Sequence, residues 1–281
     1  MIIAVDIGNS NIVIGGIQDD QILFEARLRT DATKTSDEYC IDLKMIFDIH
    51  RLRLESIEGS IIASVVPQVL NSIKTALWKL TGKNSLVVGP GVKTGLNIKL
   101  ENPTQTGADL VVGCVAAMRA YKPPLIVVDM GTATTIEVVD ASGAFIGDCI
   151  CPGVKISLDA LTQRTALLPG LQLDQPKRAI GRNTVDCMRS GIMLGTACMI
   201  DGMIVRMEEE LGCKTTVIAT GGIARFIVPL CRSEIHYEKN LILKGLAYIY
   251  RENTRQSADS DQNYHPDRQH HPGSKSAENI Q

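Results

Sequence analysis

Aromatic side chains are scarce here, 4 % of 281 residues with a single tryptophan. That leaves little material for the stacking platforms that grip single-stranded nucleic acid. Basic residues are not in excess either: 29 Lys and Arg meet 31 Asp and Glu, a formal net charge of −2. No electrostatic argument therefore favours nucleic acid or a membrane surface as partner. No uninterrupted apolar run approaches the roughly 20 residues of a spanning helix, and the N-terminus enters a strand without the signature of a secretory leader. Both common nucleotide motifs are missing: there is no G-x-x-x-x-G-K-[ST], and the segment from Gly89 to Gly95 lacks Rossmann spacing. Of five histidines, only His50 and His236 lie outside the polar C-terminal segment, and neither adjoins a motif, which argues against a histidine base. The eight cysteines are spread through apolar stretches without the paired C-x-x-C sets of a zinc site. Cys149 and Cys151 read as two same-face residues of one strand. The expectation is a reduced, cytoplasmic protein.

What is present is a passage written twice. Residues 2–28 lie over residues 125–151 without a gap, placing Asp6 on Asp129, Gly8 on Gly131 and Ser10 on Ala133. In each copy an apolar strand ends in Asp-x-Gly and a cluster of small hydroxyl or amide residues. A second strand, a turn and a third strand follow. Two such units facing each other predict a phosphate clamp between two similar lobes.

The expected division is a first lobe over residues 1–121, a second over 125–251, and a disordered polar tail over 252–281 that carries His265, His270 and His271. Thr35 and Glu38 form a capping-box signature for a helix to about Arg51. Asn183 caps a long helix that stops at Gly212. A final helix is expected over Leu241–Arg251.

A phosphate clamp must be built on the Asp-x-Gly turns. Glycine lets backbone N–H groups approach phosphate oxygens, and Asn9, Ser10, Asn11, Thr132, Thr134 and Thr135 offer side-chain donors. Asp6 and Asp129 would repel phosphate directly, so each calls for a cation or its water shell. The segment Thr220 to Ala224, with adjacent glycines between a strand and a helix, fits a backbone platform for a flat base. Acid–base work falls to a carboxylate. Asp109 sits in the first turn of a helix, where the dipole favours its ionised form. Thr106 and Asp109 are equally readable as a capping box, and the residues leave both readings open.

The segments DIGNSNIVIGG, NPTQTGAD, DMGTATT, PGVKISLDAL, GRNTVDCMRSG and ATGGIA, in this order, resemble the type III pantothenate kinases over residues 1 to about 253. The resemblance implies an α/β fold of the actin-like ATPase superfamily, two ribonuclease-H-like lobes with the active site in the cleft. It implies phosphorylation of pantothenate with ATP and Mg²⁺, dependence on a monovalent cation (K⁺ or NH₄⁺), and a homodimer with sites near the interface. By the same resemblance Asp6, Ile7, Gly8, Asn9, Ser10, Asn11, Ile12 and Val13 hold the ATP phosphates, and Thr132 adds a nucleotide contact. Asp129 matches the monovalent-cation ligand. Gly107, Ala108, Asp109 and Leu110 align with the pantothenate-binding stretch, Asp109 with the proton acceptor, and Thr184 with a substrate-contacting threonine. Three positions depart from the family pattern: Leu110 stands where an Arg is usual, Leu100 where Tyr is frequent, and Asp148 where a second Gly is usual. These leave a regulatory nucleotide-binding homologue, or a kinase for another small hydroxylated acceptor, as alternatives.

Overall fold

A computed structural model describes residues 1–262. Its first sheet grows from an N-terminal meander, β1 (Ile2–Ile7), β2 (Asn11–Gln18) and β3 (Gln21–Arg29), followed by α1 (Ser36–Ile49), β4 (Gly59–Ser64), α2 (Pro67–Thr81) and β5 (Ser85–Val87). The strands lie in the order β3-β2-β1-β4-β5, antiparallel in the meander and parallel from β1 to β5. The chain continues through β6 (Asn97–Ile98) and α3 (Ala108–Ala120) into a second meander, β7 (Leu125–Met130), β8 (Ala133–Val139) and β9 (Ala144–Pro152). Then come α4 (Val154–Arg164), α5 (Thr184–Leu211), β10 (Thr216–Thr220), the short α6 (Ala224–Ile227), β11 (His236–Tyr237) and α7 (Leu241–Gln262). Read from its meander, the second sheet runs β9-β8-β7-β10-β11, the order of the first, with β6 added beyond β9. The α/β class and the two repeated lobes agree with the expectation.

Local signals sit where physical chemistry puts them. Thr35 and Glu38 close a capping box on α1, and Asn183 caps α5 by accepting from the Asp186 N–H. Two cores face outward from the sheets. One packs Ile3, Val5, Ile7, Ile12 and Ile14 against α1 and α2; the other packs Val128, Met130 and Ile136 against α4 and α5. Between the sheets lie α3 and α7, with Val112, Val115, Leu243 and Leu246 buried against the first and Cys114 and Ala117 against the second.

The lobes are not the two halves of the sequence. β6, before the expected boundary, joins the second sheet because the free edge of β9 offers ladder partners to Asn97 and Ile98. α7, after it, lays Leu243, Leu246 and Ile249 onto the first sheet beside Ile2 and Ala4. α7 also corrects the expected tail, since the chain stays helical past Arg251 to Gln262. The remainder of that tail, with its three histidines, lies outside the described residues.

The gapless overlay conceals a compensated shift. Asp6 pairs with Val13, whereas Asp129 pairs with Thr135; an unbroken copy would pair it with Ile136. The second Asp-x-Gly turn is thus one residue tighter. The following hairpin loop is one residue longer, with Ala141, Ser142 and Gly143 against Asp19 and Asp20, so β9 regains the register of β3.

Candidate active site

Asp6 and Asp129 are the penultimate residues of β1 and β7. Each precedes a tight turn. Gly8 N–H donates to the Asn11 carbonyl at 3.0 Å, and Gly131 N–H donates to the Ala133 carbonyl at 2.9 Å. The turns meet across the cleft, where Ser10 Oγ and Thr132 Oγ1 share a hydrogen bond of 2.8 Å. Ser10 thus meets Thr132 from the opposite turn. Asn9, Ser10 and Asn11 are exposed at the cleft mouth, while Ile7 and Ile12 are fully buried in the outer core and offer a ligand only backbone. Thr134 is a correction. Lying opposite Met130, it is buried on the core side of β8 and cannot donate into the cleft, whereas Thr135 lies opposite Asp129.

Asp109 enters from α3, between the sheets. The capping box, one of the two readings the sequence left open, is not formed: the N-cap is Gly107, without a side-chain bond, and Thr106 Oγ1 is buried with no partner among the described residues. Asp109 instead folds back over the helix start, Oδ1 accepting the Leu110 N–H at 2.9 Å. It lies so close over Gly107 that a Cβ there would overlap it. The capping reading fails because the carboxylate serves its own first turn and leaves Thr106 aside.

Three carboxylates then share one neighbourhood. Burial raises Asp6 from 3.8 to about 8; repulsion from Asp109 and Asp129 adds to this and Arg27 opposes it. Burial, then Asp109, raises Asp129 to about 7. Burial also raises Asp109, against the backbone donors at its helix start. Behind them Glu137 is wholly buried and pushed well above the usual carboxylate range by desolvation first. A hydrogen bond from Thr135 opposes that rise, and Glu137 Oε1 finds no partner among the described residues. Among the described residues no three His, Cys, Asp or Glu side chains stand close enough to cage an ion. A hard cation would therefore complete its shell with phosphate oxygens and water, as Mg²⁺ does. Three carboxylates opposed by the single guanidinium of Arg27 fit such an ion.

The glycine platform at Gly221 and Gly222 closes onto this centre. Gly221 has φ +97°, and a Cβ there would sit 2.5 Å from the Met130 carbonyl and 2.7 Å from Asp129 Oδ1. On the acceptor side, Gly107, Ala108 and Leu110 are half-buried beside Asp109. Leu100 packs toward Cys114 and Phe145, and Asp148 is exposed opposite Glu137. Lys99 pairs with Asp140 in a hairpin loop, at 3.3 Å. Thr184 is exposed at the start of α5. His50 stacks on Phe24 and His236 on Tyr121, so both histidines serve packing. Cys149 and Cys151 share a face of β9, their sulfurs 3.5 Å apart. Sequence reasoning passed over Arg27 and Glu137; strand pairing finds both, since Val13 stands between Asp6 and Arg27, and Glu137 lies two residues beyond Thr135 on the same face.

The profile of the type III pantothenate kinase family matches residues 2–206. The chain belongs to that family. A type III pantothenate kinase of Exiguobacterium sp. (strain AT1b) is 43 % identical over 255 residues, covering 91 % of this chain and 100 % of the relative. The type III pantothenate kinase of Moorella thermoacetica is 42 % identical over 254 residues, covering 90 % and 100 %. Among solved structures, the activator of the 2-hydroxyisocaproyl-CoA dehydratase from Clostridium difficile, with bound ADPNP, superposes with TM-score 0.54 at 11 % identity, over 92 % of this chain and 97 % of that one. A Baf family transcriptional activator from Campylobacter jejuni gives 0.57 at 19 % identity, over 90 % and 99 %. These likenesses concern the fold alone, which is the two-lobed actin-like ATPase fold. Family membership makes the chain an ATP-dependent kinase with an alcohol acceptor.

Proposed function

We propose that this cleft transfers the γ-phosphoryl group of ATP to the hydroxyl of pantothenate, the first step of coenzyme A synthesis. The observation that carries the reading is the meeting of the two Asp-x-Gly turns at Ser10 and Thr132 with Asp109 between the sheets beside them. The turns present backbone N–H groups and exposed Asn9, Ser10 and Asn11 to the phosphates. Mg²⁺, when bound with the nucleotide, neutralises phosphate charge; Asp6 is the residue to hold it, through oxygen or water. Asp129 is the residue for a monovalent cation, K⁺ or NH₄⁺, since it is half-buried and no ion pair engages it among the described residues. Asp109 accepts the proton of the attacking hydroxyl as its oxygen bonds to phosphorus and ADP leaves. Its raised pKa brings its basicity toward what a general base needs near neutral pH.

The active form we propose is a cytoplasmic homodimer. The free state of all eight cysteines supports a reducing compartment. Dimerisation through α5 is supported by a stripe of exposed small residues, Gly191, Gly195, Cys198 and Gly202, continued by the exposed Val205 and spaced by fours and threes on a helix less than half buried. Thr184 lies on the same stripe, which would bring the partner beside the acceptor side.

Leu110 favours a second reading, a kinase for a different small hydroxylated acid or amide. A leucine cannot make the charged hydrogen bonds of the usual arginine, worth about 1.5–3 kcal/mol. The test is phosphorylation of pantothenate with ATP and Mg²⁺, with and without K⁺, by the unaltered chain, Asp109→Asn and Leu110→Arg. We expect K⁺-dependent turnover, a loss of roughly 10²–10⁴-fold in Asp109→Asn, and tighter pantothenate binding in Leu110→Arg. No turnover above the Asp109→Asn control would sink the pantothenate reading; ADP release with another acceptor would establish the second.

A further inference from the structure

The cleft described so far is acidic, yet a polyphosphate is to enter it. Asp109 and Asp129 raise the proton affinity of Asp6, Asp109 raises that of Asp129, and the positive charge that acts on Asp6 is Arg27. Arg27 stands on β3 directly abreast of Asp6, since Asp6 pairs with Val13 and Val13 with Arg27. Cross-strand partners point to one face, so the three side chains line the cleft side of the first sheet in a row.

The guanidinium is positioned but not consumed. Nη2 lies 3.5 Å from Glu25 Oε1, and Glu25 Oε2 is in turn 2.8 Å from Lys239 Nζ, at the foot of the second lobe. Nη1 reaches across to the other lobe, 3.4 Å from where a Cβ on Gly222 would sit. Among the described residues no hydrogen bond engages the guanidinium, and the side chain is 47 % exposed. An arginine carries five N–H donors in a rigid fork suited to phosphate oxygens. Here that fork stands between the glycine platform at Gly221 and Gly222 and the Asp6 turn.

We propose that Arg27 is a phosphate-binding residue of this cleft, contacting the β- and γ-phosphates of the nucleotide from the first lobe while Glu25 and Lys239 hold it against the second. This rests on the nucleotide-kinase reading of the cleft. The contact supplies positive charge where the carboxylates would otherwise repel the ligand, and its position against Gly222 couples phosphate binding to the approach of the two lobes. Lysine keeps the charge but loses the fork, so the substitution is not conservative here.

The experiment is calorimetric titration of the unaltered chain, Arg27→Lys and Arg27→Gln with the imido analogue of ATP, with ADP and with adenosine, all with Mg²⁺ and without acceptor. Melting temperatures of the free proteins are recorded alongside. Arg27→Gln should weaken the ATP analogue roughly ten- to hundred-fold, the loss expected for a charge-assisted hydrogen bond, and ADP by less. Adenosine should bind unchanged, and Arg27→Lys should retain part of the affinity. Equal losses for all three ligands would show that Arg27 only holds the lobes together, and unchanged affinity would show no contact; either overturns the proposal. No nucleotide binding by the unaltered chain would overturn it together with the kinase reading. A selective loss in a protein that turns over no pantothenate would uphold Arg27 and discard pantothenate alone.

Discussion

Asp109 and Gly221 illustrate what single residues contribute. Asp109 is useful because it is half-buried and its carboxylate is met by the donors of its own helix start. An aspartate tied into a capping box with Thr106 would lack that freedom. Gly221 combines a φ of +97° with close approach to the Met130 carbonyl and the Asp129 carboxylate, two demands that only a residue without Cβ meets. Gly221→Ala should destabilise the protein by about 2–3 kcal/mol, from backbone strain and displacement of the Asp129 turn. A denaturant titration measures this. A change below about 0.5 kcal/mol would mean that the β10–α6 turn relaxes freely and the close packing on Asp129 is not required. Gly222, which lacks a positive φ, serves as the control.

Secondary-structure elements carried different amounts of legible information. The two meanders were readable because alternating apolar residues and Asp-x-Gly turns repeat in order, and α1 and α5 because their caps are written as Thr35 with Glu38 and as Asn183. The one-residue shift between the meanders was not, since a tighter turn and a longer loop cancel in a gapless overlay. β6 was missed because two residues carry no periodicity, and its strand exists only where β9 presents an edge. On α5 the pattern shows both a core face and an open one: Ile192, Ile200 and Ile204 are buried while Gly191, Gly195 and Gly202 have nothing against them among the described residues. A homodimer built on that open face should be lost in Gly195→Glu, with the melting temperature of the monomer preserved because glutamate favours helix over glycine. Sedimentation equilibrium reads the change, from twice the chain mass of 30.5 kDa to one chain mass. An unchanged mass in the variant would place any association elsewhere.

At the scale of the whole molecule, the cleft stores electrostatic tension. Asp6 and Asp129 have folded pKa values above the ordinary 3.8, about 8 and about 7, so the folded chain holds more protons than the unfolded one. By linkage, their contribution is complete below about pH 4 and is lost as pH rises toward 8. Carboxylates held low, such as Asp140 at about 2, act in the opposite direction, but only below the ordinary carboxylate range. The ligand-free protein should therefore lose melting temperature between pH 5 and 8. Asp6→Asn should flatten that slope and gain about 2 kcal/mol at pH 8, roughly 4–8 °C. ATP with Mg²⁺ should reverse the slope in the unaltered chain. Calorimetric scans across this range check both, and a slope identical in Asp6→Asn would remove Asp6 as its source.

Sequence by itself determined the repeat, the two Asp-x-Gly turns, the helix caps and the resemblance, because each is a local pattern of residue type and spacing that any fold of this chain must satisfy. It left Asp109 open between cap and base. Only the tertiary structure decided which residues face one another: Ser10 with Thr132, Arg27 with Asp6 and Gly222, α7 on the first sheet, and the buried Glu137 behind Asp129. The physical reason is that register, burial and charge coupling arise between segments far apart in the chain. A one-residue change in a turn is nearly silent in the sequence, yet it redirects every side chain that follows until a loop restores the phase.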